Sequence, residues 1–186
     1  KSQIALRYTL RGCKFDPKQP QHWKAVSSEL VQDMHLLEPS ESSEASSWDA
    51  NRDLVVSTVR MGYGHHRIAL GVASYGSKFS RESRLLDLLA STRDEAYAIK
   101  RLDEVYSKFS RISADLGGWA ESVWGKITTE AGVDSARLAY MIATELSALI
   151  DVIPRETPFI SAYPINGHLA VKMGMINCGT TGNTCG

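Results

Sequence analysis

Two glycines, two histidines and an arginine fall within one short run, Gly62-Tyr63-Gly64-His65-His66-Arg67. Imidazole is the side chain whose ordinary pKa lies near neutrality, so it can accept or donate a proton at physiological pH. Glycines beside it let the chain turn sharply. A helix opening directly after such a turn offers unpaired backbone N–H groups, which suit an anion. The chemistry on offer is therefore phosphate or carboxylate binding next to a proton acceptor. A second set, Asn166 and His168, follows the Tyr163-Pro164 pair late in the chain.

The flanking residues indicate what positions the first set. Leu54-Val55-Val56-Ser57-Thr58-Val59 is a short apolar, β-branched run that reads as a buried strand. Ile68 to Tyr75 has a helical apolar pattern. Strand, glycine turn and helix form the entry unit of a doubly wound α/β domain. The loop departs from the dinucleotide fingerprint GxGxxG, whose last glycine would fall at Arg67, and no Gly-Lys-Ser/Thr follows as in a Walker A loop.

Ser57-Thr58-Val59-Arg60-Met61-Gly62-Tyr63-Gly64-His65 resembles the first strand and loop of the monogalactosyldiacylglycerol synthase and processive diacylglycerol glucosyltransferase group. These are GT-B glycosyltransferases with two Rossmann-type domains. The resemblance spans about residues 53–178 and is specific only at this loop. It implies an acceptor-side N-terminal domain that works on a nucleotide-sugar and an acceptor such as a lipid, with no cofactor or metal of its own. It matches His65 to the family's Gly-x-Gly-His histidine, a candidate catalytic base. Gly62, Gly64, His66, Arg67, Asn166 and His168 are the candidate ligand-binding residues. It also implies a second, C-terminal domain beyond Gly186, so that this chain alone would be a catalytically incomplete fragment. The chain begins with Lys1 rather than Met, which fits a fragment or a trimmed product. Two other readings stay open: a non-catalytic Rossmann-like binding module, and a GT-B-like sugar-nucleotide epimerase.

Composition bounds these readings. The chain has 186 residues, 43% of them hydrophobic, and Lys+Arg and Asp+Glu both number 21. Zero net charge argues against nucleic-acid binding by bulk charge. Three cysteines, Cys13, Cys178 and Cys185, with no CxxC pair suggest a reducing, cytoplasmic setting. With His168 the last two lack a standard zinc spacing. No apolar run approaches the roughly 20 residues that span a bilayer.

The remaining elements follow in order. Lys1 to Leu10 alternates like a strand. Trp23, Val26, Leu30, Met34 and Leu37 have helical spacing, so His22 to Leu37 is predicted as a helix. Pro39 to Ser47 is polar and low in complexity, a linker that would divide an N-terminal extension (1–47) from a Rossmann-like domain (48–186). Arg84 to Ala90 is the expected second strand, with Asp87 near its end in a turn or capping role. Ser91 to Lys126 is predicted helical with a break at Gly117-Gly118, a helical excursion after the second strand. Lys100, Arg101, Lys108 and Arg111 beside Tyr97 could rest peripherally on anionic lipid, although a solvated face is the commoner meaning of such charges. Val133 to Ile153 is expected as a helix, capped by Asp134 or Ser135, with Leu138, Met141, Ile142, Leu146, Leu149 and Ile150 as its stripe. Pro158 to Ala162 is then a strand, and a strand-end loop carrying Asn166 and His168 opens a helix through Met173. The predicted fold is a three-layer α/β, Rossmann-like domain around a parallel sheet.

Overall fold

The computed structural model describes residues 12–14, 19–29, 31–43, 47–60, 64–118, 122, 143 and 145–179. Among them runs a six-stranded sheet: β1 (His22–Ser27), β2 (Met34–Ser40), β3 (Asp53–Thr58), β4 (Glu82–Asp87), β5 (Phe159–Ser161) and β6 (Asn177–Gly179). The spatial order is β1-β2-β4-β3-β5-β6. Only β1 is antiparallel to its neighbour; β2, β4, β3, β5 and β6 pair in parallel. Among the described residues three α-helices have defined bounds: α1 (Gly64–Ser74), α2 (Asp94–Leu116) and α3 (Pro164–Lys172). The fold is a mixed, Rossmann-like α/β domain.

β3 sits at the centre because it can be buried on both faces. All six of its residues are buried, as parallel strands between helical layers require. Successive side chains point to opposite faces. Val55 and Val59 join a core that includes Ile99 of α2 and Leu169 of α3. Leu54 and Val56 join a second core with Ala69 and Ala73 of α1. So α1 covers one face, and α2 and α3 cover the other.

The expected strands at 54–59 and 158–162 and the helices at 68–75 and 165–173 are present, with α1 starting earlier, at Gly64, and α3 one residue earlier, at Pro164. The second strand ends at Asp87, and Leu88–Ala90 is a 3-10 turn instead of strand. Asp87 takes the expected turn role: its Oδ1 accepts from Leu89 N at 3.0 Å. α2 stops at Gly117 and Gly118, whose φ values of 59° and 48° suit glycine after a helix.

The helix expected over 22–37 is a pair of antiparallel strands instead. Its spacing was compatible with a helix, but Asp33 adopts φ 58°, which breaks one. Ser28 N donates to Met34 O at 2.9 Å and closes the turn. Trp23 on β1, and Met34 and Leu37 on β2, are all buried. β1 and β2 therefore belong to the same sheet as the rest, and the boundary expected at 47/48 does not separate them from it. The end of the helix expected to reach Ile153 is also different: Ala143 and Glu145 are helical, but Ser147–Leu149 is a 3-10 turn. Leu146, Leu149 and Ile150 still fill the core. The strand expected over 1–10, the caps Asp134 and Ser135, and Leu138, Met141 and Ile142 lie outside the described residues. Among the described residues no helix is long and apolar enough to cross a membrane.

Candidate functional site

The chain leaves β3 for β4 on one side, then returns to β5 on the other side of β3 and continues outward to β6. The crossovers thus diverge between β3 and β5. In open α/β sheets the crevice at the strand C-termini of such a switch point is where ligands bind. Here it lies between the ends of β3 (Thr58) and β5 (Ser161), beside the N-termini of α1 and α3.

Local sequence explains why both helices start there. Pro164 stands at the first position of α3, where a missing N–H costs nothing and a fixed φ favours the helix. The strand pairing runs on past Ser161, with Ala162 N donating to Ser57 O at 2.9 Å. Ser161 Oγ donates to Tyr163 O at 2.6 Å and sets the turn into α3. Neither α1 nor α3 has an acidic residue in its first turn. Their partial positive ends are therefore not offset by carboxylates of their own. α2 differs, with Asp94 and Glu95 in its first turn.

Across the crevice, Asn166 Nδ2 donates to Ser57 Oγ at 2.7 Å, and both residues are fully buried. The His65 and Tyr163 rings meet edge to face, centroids 5.1 Å apart. Four buried polar atoms here have no partner: Thr58 Oγ1, His65 Nδ1, His66 Nδ1 and Asn166 Oδ1. Thr58 is itself fully buried. Unpaired buried polar atoms cost stability and call for an explanation. Clustered around one crevice, they can serve a ligand that supplies the missing partners. Beside them Arg60 holds Asp87, with Nε 3.4 Å from Oδ2.

The expected residues divide as follows. His65 and His66 are half-buried at the start of α1, and Arg67 is exposed one residue on. Gly62 lies outside the described residues. Gly64 is the first residue of α1, and a Cβ built there meets nothing within 4 Å. Its backbone does not need a glycine, so the conformational reason expected for it does not apply; what it leaves is open space at the helix start. Asn166 lies inside α3, not on a loop, and reaches β3. His168 is half-buried two residues further into α3, about half a turn round the helix from Asn166. Sequence reasoning missed Ser57, Thr58 and Tyr163. The signal for the first two was present, as two hydroxyl residues closing an otherwise aliphatic strand; nothing local marked Tyr163. Among the described residues no group of three His, Cys, Asp or Glu could hold a metal ion.

A family model described as "Domain of unknown function (DUF6937)" matches residues 7–180. No curated protein and no solved structure matches the chain.

Proposed function

The chain belongs to the DUF6937 family, and from its own crevice we propose that it binds a phosphate-bearing ligand at the β3/β5 switch point, as the acceptor-side domain of a glycosyltransferase-like protein. One observation carries the reading: two helix N-termini without acidic first turns flank a cluster of unpartnered buried polar atoms, two of them imidazole nitrogens. The loop resemblance supplies the substrate class, a nucleotide-sugar and a hydroxyl acceptor. The three cysteines without a CxxC pair add a reducing, cytoplasmic setting to this reading.

On this reading His65 takes the proton of the acceptor hydroxyl as that oxygen bonds to the sugar's anomeric carbon. The bond from that carbon to the donor phosphate breaks, and its electron pair leaves on the nucleoside diphosphate. Backbone N–H groups at the helix starts face the negative charge that forms. A second domain would hold most of the donor, so transfer belongs to a longer protein and anion binding to this chain.

The test is calorimetric titration of this chain with uridine diphosphate and with inorganic phosphate, repeated with His65→Ala. Saturable binding that weakens about tenfold in the variant is expected, matching loss of one charge-assisted contact. A chain blind to both ligands, or a variant that binds as well as the parent, overturns the reading. Binding without sugar transfer in the longer protein would leave a non-catalytic Rossmann-like module.

A further inference from the structure

A second cavity, of about 700 Å³, lies along the same sheet edge. It opens between the start of β1, the end of β2 and the start of α2, with Gln21, His22, Ser40, Glu41 and Arg93 among its lining. The strand order puts it about three strand spacings from the β3/β5 crevice, roughly 14 Å. Its size lies within the range of small-molecule sites.

The wall is pre-formed. Gln21 is 7% exposed, and its Nε2 donates to His22 O at 2.7 Å. Ser91 Oγ donates to Gln21 Oε1 at 3.0 Å and accepts from Arg93 N at 3.2 Å. This chain of bonds ties β1 to the start of α2. Glu95, 1% exposed, is bound by the Arg93 guanidinium at 2.7 and 3.1 Å. Lys14 N donates to Asp94 Oδ2 at 2.6 Å.

Charge decides the ligand class. Asp94 and Glu95 already offset the positive end of α2, and Glu41 adds a third carboxylate to the lining. Lys14 and Arg93 stand against these three carboxylates in the lining, so the charges nearly balance and neither a phosphate nor a cation is favoured as an anion is at α1 or α3. Apart from Pro20 and Pro39, the lining side chains are polar or charged, so an acyl chain would bury carboxylates and amides without partners. What fits is a neutral group rich in hydroxyls, which can donate to carboxylates and accept from amide and ammonium groups together. We propose that this cavity is a binding site for an uncharged, sugar-like polyol, separate from the anion crevice. The proposal rests on the cavity and its charge, not on the glycosyltransferase reading.

The experiment is a two-dimensional amide NMR titration of the chain with glucose and with myo-inositol. Parallel titrations use inorganic phosphate and a small aliphatic diamine. Saturable shifts at Gln21, Ser40, Thr92 and Arg93 with a neutral polyol are expected. Glu41→Ala should weaken them about tenfold, and Thr92→Phe, which fills the mouth, should abolish them. His65→Ala should leave them unchanged, so failure of the anion crevice would not be mistaken for failure here. Both cavity variants change exposed residues, and amide dispersion reports whether each stays folded. No saturable polyol shift in the parent chain overturns the proposal. So does uptake of phosphate or of the diamine at these amides in place of the polyol.

Discussion

The edge of the Tyr163 ring rests against the face of the His65 imidazole, or the reverse, with the planes at 87° and the centroids 5.1 Å apart. Tyr163 ends the β5 side of the crevice and His65 begins α1, so this contact joins the two sides of the switch point. It also limits the ring orientations open to a half-buried histidine whose Nδ1 has no partner.

Tyr163→Leu should therefore loosen the histidine without unfolding the chain. An aromatic pair of this kind contributes about 0.5–1.5 kcal/mol beyond area burial. Uridine diphosphate affinity should fall severalfold, and the His65 ring resonances should broaden or shift in NMR spectra. A variant with unchanged affinity and unchanged His65 resonances would show that the contact positions nothing.

Gly64→Ala separates space for a ligand from the needs of the backbone. The built Cβ meets nothing within 4 Å, so stability should stay level or rise by up to about 1 kcal/mol, since alanine favours a helix over glycine. The same methyl group occupies the open approach to the start of α1. Phosphate affinity should fall while the urea midpoint does not. A loss of stability would mean that the glycine serves the fold after all.

Asp53 and Arg84 test the opposite end of the sheet. Arg84 Nε lies 2.9 Å from Asp53 Oδ1, with side chains 10% and 1% exposed. Arg84 also donates to Ser47 O at 2.9 Å and stacks over Trp48 at 4.5 Å. Removing one partner strands a buried charge, so Asp53→Ala or Arg84→Met should each cost about 3–5 kcal/mol in denaturant unfolding. The double variant should cost much less than the sum. Phosphate binding by whatever remains folded should be unaffected, because the pair lies at the strand starts.

Cys13 gives a pH prediction. Burial raises its thiol above the ordinary range, and the Asp94 carboxylate raises it further. A raised pKa means that the thiolate, the reactive form, appears only at higher pH. Alkylation of Cys13, followed by mass mapping, should therefore be slower at neutral pH than that of a free thiol and should accelerate at more alkaline pH. Asp94→Asn should shift that profile towards lower pH; an unchanged profile would remove Asp94 as a cause.

The central half of the fold could be read directly. Val55 and Val56 mark a doubly buried strand by their run alone, Tyr163-Pro164 marks the turn out of β5, and Gly117-Gly118 marks the end of α2. Those signals are local. The region 22–40 misled because Trp23, Val26, Met34 and Leu37 satisfy a helical period. The fact that decides against it, the left-handed backbone at Asp33, has only a weak sequence signature. At the site, His65 and His66 were visible because their types and spacing are unusual. The Asn166–Ser57 bond was not, since it joins residues 109 positions apart and depends on strand order. Asn166 was singled out as a loop residue, whereas it stands on a helix and reaches inward.

The antiparallel β1 also has a protective consequence. Among the described residues it pairs only with β2, at the margin of the sheet, and Lys24 on it is exposed and bonded to Glu38 at 3.0 Å. A charged, lysine-bearing outer strand discourages a second molecule from adding on. A protein begun at residue 48 would lose both strands and bare the flank of β4, whose Leu85 and Leu86 belong to the core. Its unpaired N–H and C=O groups would become a template for aggregation. The first two strands thus help to keep the molecule from polymerising with its own copies.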